Sequence, residues 1–113
     1  MPGVFEVKDA SAGQFMFTLE TDDGEIIFTS ESFVLKASAK RGIAAVRFSA
    51  TVASRYERRT SRDGQHYFVL NAANGEPLGR SEMYASIDGL EPGIASLREH
   101  APVAVIKDLT QDR

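Results

Sequence analysis

The sequence predicts an α+β domain: two tandem β-β-β-α repeats sharing one mostly antiparallel sheet, with two helices on one face. Three observations carry this reading. Gly42-Ile43-Ala44-Ala45-Val46-Arg47 returns 51 residues later as Gly93-Ile94-Ala95-Ser96-Leu97-Arg98. Asp22-Asp23-Gly24 and Asn74-Gly75 punctuate alternating apolar segments at the same offset, as tight hairpins do. Ala39, Ile43, Val46 and Ala50, echoed by Leu90, Ile94, Leu97 and Ala101, recur at spacings of four, three and four. At about 100° per residue each set falls on one narrow face suited to packing on a sheet.

Phe5–Ala50 aligns onto Tyr56–Ala101 without a gap. Identical pairs include Glu6/Glu57, Gly13/Gly64, Gln14/Gln65, Phe17/Phe68, Leu19/Leu70, Gly24/Gly75, Ser30/Ser81, Glu31/Glu82, Gly42/Gly93 and Arg47/Arg98. Phe5/Tyr56, Ile27/Leu78 and Phe33/Tyr84 are conservative exchanges. Glycines and core apolars kept together mark an internal duplication, with repeats at about 4–54 and 55–109 of a single domain, 1–113. A half of about 50 residues lies near the lower limit for independent folding, so the halves should unfold as one.

The doubled pattern Gly-Gln-Phe-x-Phe-x-Leu, Ser-Glu-x-Phe and Gly-Ile-Ala-x-Val-Arg resembles the YegP-like family of uncharacterised bacterial proteins. The resemblance runs from Phe5 to about Lys107. It implies tandem three-strand-plus-helix units in one sheet, with C-terminal strands exchanged between the repeats. It implies no activity.

Composition narrows the classes of function. Of 113 residues, 42% are hydrophobic and 26% charged, ordinary for a globular domain. A net charge of −3 and a pI near 5.3 argue against polyanionic partners. No apolar run of about 18 residues is present to span a membrane, and the start, Met1-Pro2-Gly3-Val4, lacks the pattern of a signal peptide. The absence of cysteine removes disulfides, thiolate metal sites and cysteine nucleophiles. A cytoplasmic setting is the expectation.

Along the chain, Val4–Asp9 alternates, with Phe5 and Val7 inward. Gly13 turns it into a second strand, Gln14–Thr21, whose Phe15, Phe17 and Leu19 face the helices. Glu25–Ser30 is the third strand, with Ile27 inward. After a connection over Ser30–Leu35, the helix runs to about Phe48. Gly42 costs roughly 1 kcal/mol against alanine in mid-helix; its presence in both units predicts that a side chain there would strike the sheet or the other helix. Thr51–Ser61, Gln65–Ala72 and Glu76–Arg80 form the second set of strands. Pro92 requires either a helix start near Glu91 or a distorted first turn from Ser86. Val103–Leu109 is a final short strand, and 110–113 reads as frayed.

Candidate chemistry is sparse, and the residues specify no function. His66 occupies the inward position of Phe15 with no partner nearby, which favours a structural histidine. Asp22, Asp23 and Glu25 miss the calcium-loop spacing and read as a hairpin. Ser30-Glu31 and Ser81-Glu82 satisfy backbone donors or present a symmetric pair of anionic groups to a ligand. Strand parity separates Glu6 from Arg47, so no salt bridge is expected there. Arg55, Arg58, Arg59 and Arg62 form the basic run.

Parity places Met16, Thr18, Ile26 and Phe28 on the sheet face away from the helices, with Arg59, Tyr67 and Val69 in the second unit. That face is more apolar than solvent requires. The expectation is a non-enzymatic interaction module, monomeric and cytoplasmic, meeting a protein partner through the open sheet face, with Met16, Ile26, Phe28, Arg59, Tyr67 and Val69, or through an edge strand. No catalytic, cofactor or metal residue is assigned, and no membrane association is expected. The alternatives are a small-molecule or enzyme site at the inter-repeat seam, and nucleic-acid binding through Arg55–Arg62.

Overall fold

In the computed structural model, which describes residues 3–111, the strands and helices follow the predicted order. The first repeat contributes β1 (Val4–Asp9), β2 (Phe15–Glu20), β3 (Ile26–Ser30) and α1 (Lys36–Ser49). The second contributes β4 (Tyr56–Thr60), β5 (His66–Asn71), β6 (Pro77–Arg80), α2 (Ile87–His100) and β7 (Val105–Asp108). They build one sheet in the order β4-β5-β6-β3-β2-β1-β7. Every pairing is antiparallel except that of β7 with β1. The exchange takes a definite form: β4, following α1, pairs with β5, and β7, following α2, crosses back to β1.

One core joins the halves. Phe5, Val7, Phe17 and Leu19 meet Tyr56, Phe68, Leu70 and Leu78 beneath both predicted helical stripes. Both helices therefore cover the same face of the sheet. Phe5 and Phe17 pack edge to face at 5.8 Å, as Tyr56 and Phe68 do at 5.3 Å. The Tyr56 hydroxyl reaches the Ala50 carbonyl at 2.7 Å, so the ring is buried without an orphaned donor.

The paired helix glycines answer to a paired aromatic. A Cβ on Gly42 would lie 2.8 Å from Phe33 Cζ and 3.1 Å from Phe17, and one on Gly93 would lie 2.7 Å from Tyr84 Cζ. The obstacle is chiefly the ring carried by the β3–α1 or β6–α2 connection, with the sheet second. α2 begins at Ile87, where the Ser86 hydroxyl accepts from Gly89 N–H, and Pro92 lies within the helix. The buried stripe Leu90, Ile94 and Leu97 holds the helix through the missing donor.

Two sequence expectations shift. Thr51–Arg55 winds as turns, with Val52 N–H on Ser49 and Arg55 N–H on Val52, so β4 starts only at Tyr56. The expected fraying does not apply to 110 and 111: Thr110 N–H bonds Asp108 and Gln111 N–H bonds Asp9. Residues 112–113 lie outside the described residues.

A larger correction concerns Phe28. Leu19 pairs with Phe28 but Glu20 with Ile26, so Ile27 is an extra residue. This bulge breaks the alternation and sends both Ile27 and Phe28 into the core, Phe28 with 0% exposure. Unit two repeats the bulge around Leu78, between Gly79 and Pro77.

Candidate functional site

The two repeats meet where β3 pairs with β6, through Thr29↔Arg80 and Ser30↔Gly79. Thr29 and Arg80 are repeat equivalents, so an approximate two-fold axis passes between them. At such an axis two phenylalanines would compete for one space. Gly79 stands where the first repeat has Phe28, and a Cβ there would lie 2.6 Å from Phe28 Cζ.

Ser30 and Ser81 flank this seam and are structural. Ser30 Oγ accepts from Phe17 N–H at 2.8 Å and donates to the Glu31 carbonyl at 2.7 Å. Ser81 Oγ accepts from Phe68 N–H at 3.0 Å and donates to the Glu82 carbonyl at 2.8 Å. Each hydroxyl closes the gap left where a strand departs from the ladder. Ser30→Ala and Ser81→Ala should each cost about 1–3 kcal/mol, because the phenylalanine amide is left buried without an acceptor. Urea denaturation of the single variants measures it; losses within experimental error would remove that role.

Two clefts open beside the seam. One, of about 490 Å³, is lined by Gly24, Glu25, Ile26 and Ile27 from the first repeat and Glu82, Met83 and Tyr84 from the second. Burial, then the charges of Glu25 and Glu82, push the Tyr84 hydroxyl above the usual tyrosine range. The other, of about 340 Å³, is lined by Thr29, Ser30, Glu31, Ser32 and Arg80. The Ser-Glu pairs do not converge on one site: Glu31 and Glu82 line separate clefts.

The remaining polar candidates are dispersed. His66 exchanges backbone hydrogen bonds with Tyr84, both 2.7 Å, and its Nδ1 lies 3.5 Å from Thr60 Oγ1. His100 Nδ1 lies 2.8 Å from the Ser96 carbonyl. Asp23 accepts from the Thr21 hydroxyl and the Glu25 amide, which holds its carboxyl below the usual range and marks a hairpin turn. Among the described residues no group of three His, Cys, Asp or Glu is placed to hold a metal.

The sheet face opposite the helices carries one row across all seven strands: Lys107, Glu6, Thr18, Thr29, Arg80, Val69 and Glu57. Most of it is polar. Val69 is on this face as expected but only 6% exposed, between its cross-strand neighbours Arg80 and Glu57. Met16, Ile26 and Tyr67 are half-buried, and Arg59 is exposed. With Phe28 turned inward, the face offers less apolar surface than parity predicted. Glu6 lies 3.5 Å from Lys8 on this side, while Arg47 caps the Phe5 ring at 5.4 Å on the other and bonds the Pro102 carbonyl. The two are separated, as parity required.

The basic run is largely paired. Arg58 grips Glu91 with two hydrogen bonds of 2.7 and 2.9 Å, Arg59 bonds Glu57 at 2.8 Å, and Arg55 bonds Ser49 at 3.0 Å. Fork-to-carboxylate geometry occupies the donors that a phosphate would use.

The two sheet edges differ in chemistry. β4 presents Glu57, Arg58, Arg59 and Thr60, a charged edge of the kind that discourages strand addition. β7 presents Val105 and Ile106, 56% and 48% exposed, flanked by Val103 and Leu109, 61% and 46% exposed. Val105 N–H bonds Gly3 and Leu109 N–H bonds Val7. Alternation along the ladder then turns the amides of Ile106 and Asp108 outward. This apolar edge was missed from sequence: Val103–Leu109 reads as a strand, but nothing local says that it ends the sheet.

The comparisons with known proteins accord with this architecture. The profile of the domain of unknown function DUF1508 matches residues 10–57 and again 61–108, at the offset of the internal repeat. A UPF0339 protein of Bordetella pertussis is 49% identical over 111 residues, covering 98% of this chain and 99% of that protein. The UPF0339 protein YegP of Escherichia coli (strain K12) is 43% identical over 110 residues, covering 97% and 100%. The solution NMR structure of yegP from E. coli, a protein of unknown function, superposes with a TM-score of 0.93 at 42% identity, covering 100% of this chain and 97% of that one. A UPF0339 protein from Shewanella oneidensis, also solved by solution NMR, gives 0.90 at 37% identity, covering 97% and 93%. With the duplicated βββα motif, the shared sheet and nearly full-length alignments in agreement, this chain belongs to the YegP-like UPF0339 family of tandem DUF1508 proteins.

Proposed function

We propose that the protein is a non-enzymatic interaction module that captures an extended segment of a partner protein along β7. The observation that carries this reading is the contrast between the edges: β4 presents a run of charged side chains, whereas β7 opens on exposed Val105 and Ile106 before Lys107 and Asp108 and turns free backbone groups outward. Strand addition uses such groups for affinity and alternate side chains for specificity. The half-buried outer-face residues Met16, Ile26 and Tyr67, with exposed Arg59, supply a secondary surface. Phe28, packed in the core, is not part of it. A monomer is the working state, since the duplicated chain completes its own sheet. No helix among the described residues is long and apolar enough to cross a membrane, and with the lack of cysteine this supports a cytoplasmic setting.

Ile106→Pro tests the reading. It removes an outward amide at an edge position, where proline is tolerated, and leaves the β1 ladder intact. Peptides selected on the wild type from a displayed library of extended sequences should lose at least about tenfold in affinity for the variant, as one main-chain hydrogen bond is lost and the strand register blocked. Equal binding by both proteins, with no amide shifts at Ile106 and Asp108, would overturn strand addition.

A further inference from the structure

We propose that Glu6 and Glu20 share a single proton across the β1–β2 ladder, a pH-sensitive latch on the open sheet face of the first repeat. Both side chains stand on that face: Glu6 pairs with Thr18, and Glu20, two residues further along β2, is its diagonal neighbour. Diagonal neighbours in an antiparallel pair are within reach of long side chains. The two carboxylates converge on one ammonium, Lys8 Nζ, 3.5 Å from Glu6 Oε1 and 3.8 Å from Glu20 Oε2. Each glutamate side chain is 19% exposed, so solvent screens the two charges less than it would at an open surface.

The duplication supplies the comparison that identifies the donor. At the 51-residue offset, Glu57 stands for Glu6, Arg59 for Lys8 and Asn71 for Glu20. There Asn71 Nδ2 donates to Glu57 Oε1 at 3.3 Å, and Arg59 Nε bonds the other oxygen at 2.8 Å. The first repeat has a carboxyl in place of that amide. It can replace the donor only while it carries a proton, since an ionised carboxylate accepts and never donates. The cations differ in the same sense: Arg59 bonds one carboxylate, whereas Lys8 is divided between two. The hydrogen bond between the two carboxyl groups, followed by burial and the charge of Glu6, holds Glu20 above the usual glutamate range. The same bond holds Glu6 below it, with Lys8 and Lys107 acting against burial.

The other groups facing the pair are Thr18, whose hydroxyl donates to Glu20 Oε2 at 3.5 Å, and Lys107 of β7, beside Glu6. Val4 of β1 and Ile26 of β3 flank Glu20, and Thr29 lies opposite Thr18; none of these titrates. Glu6, Glu20, Lys8 and Lys107 sum to zero with both carboxylates ionised and to +1 with one proton shared, so acidification makes this corner of the sheet cationic. The raised Glu20 stabilises the fold below the usual glutamate range, and that contribution is lost as pH rises through its titration. The lowered Glu6 stabilises the fold above that range, and its contribution is lost as pH falls through its titration. The latch is therefore tightest with one proton bound, in the range where a free glutamate titrates.

The test is a pH titration of the full chain followed by NMR of the side-chain carboxyl carbons. Glu6 and Glu20 should titrate in two linked steps, Glu20 above and Glu6 below the usual range, and Glu57 in one. Glu20→Gln installs the permanent donor of the second repeat. Glu6 should then titrate in a single step, and the variant should exceed the wild type in urea midpoint at neutral pH by a margin that vanishes toward acid pH. Asn71→Asp should do the opposite in the second repeat, lowering the midpoint at neutral pH and recovering on acidification. Independent single steps for Glu6 and Glu20 within the usual range would overturn the proposal. So would a difference between Glu20→Gln and the wild type that does not change with pH.

Discussion

Gly79→Ala is expected to lower stability by about 3 kcal/mol, the upper range for forcing a group into a packed interior. The added Cβ would lie 2.6 Å from Phe28 Cζ and 2.7 Å from Ser30 Cα, and closer still to the Thr29 carbonyl. Two of these three are backbone atoms of β3, the strand on which the repeats join. Relief requires β6 to move away from β3, where the seam is joined by the pairs Thr29↔Arg80 and Ser30↔Gly79 and by the Glu31 N–H bond to the Leu78 carbonyl. Adding Phe28→Ala should not rescue the variant, since the backbone obstacle remains. Urea denaturation of the single and double variants checks both statements. A loss below about 1 kcal/mol, the ordinary size of a tolerated change, would mean that the seam is pliable.

Phe28→Ala is expected to cost about 3–5 kcal/mol, the range for deleting a fully buried phenylalanine. Its ring has 0% exposure and fills the space that Gly79 leaves at the pseudo-two-fold axis. Were Phe28 on the open face, as plain alternation places it, the cost would be within about 0.5 kcal/mol. The two placements therefore differ several-fold in a quantity that one denaturation curve reads. The same substitution should report on both repeats, because the ring contacts β6 across the seam. A single cooperative transition at lower denaturant is the expected form, whereas two separated transitions would contradict the shared core.

Neither variant touches the surfaces proposed for binding. The β7 edge lies beyond β2 and β1 from the β3–β6 seam. Loss of binding without loss of stability, or the reverse, therefore separates the interaction readings from the architecture on which they stand.

The sequence by itself determined the duplication, both hairpins, the helical stripes and the inward faces of β1 and β2, because each is written in local periodicity or turn chemistry. It also anticipated that Gly42 and Gly93 face an obstacle, though the rings responsible, Phe33 and Tyr84, are revealed only by packing. The inward turn of Phe28 was hidden, because a bulge adds one residue without a local signature here and reverses every parity argument beyond it. The seam clefts were hidden too. Glu25 and Glu82 are 57 positions apart in the chain, and only the β3–β6 junction brings them to the lining of one cleft. Likewise, a strand's apolar residues do not reveal whether it lies inside a sheet or at its edge. That β7 ends the sheet beside β1, with Val105 and Ile106 exposed, was decided by tertiary structure, since edge position depends on long-range pairing order and not on the strand's own residues.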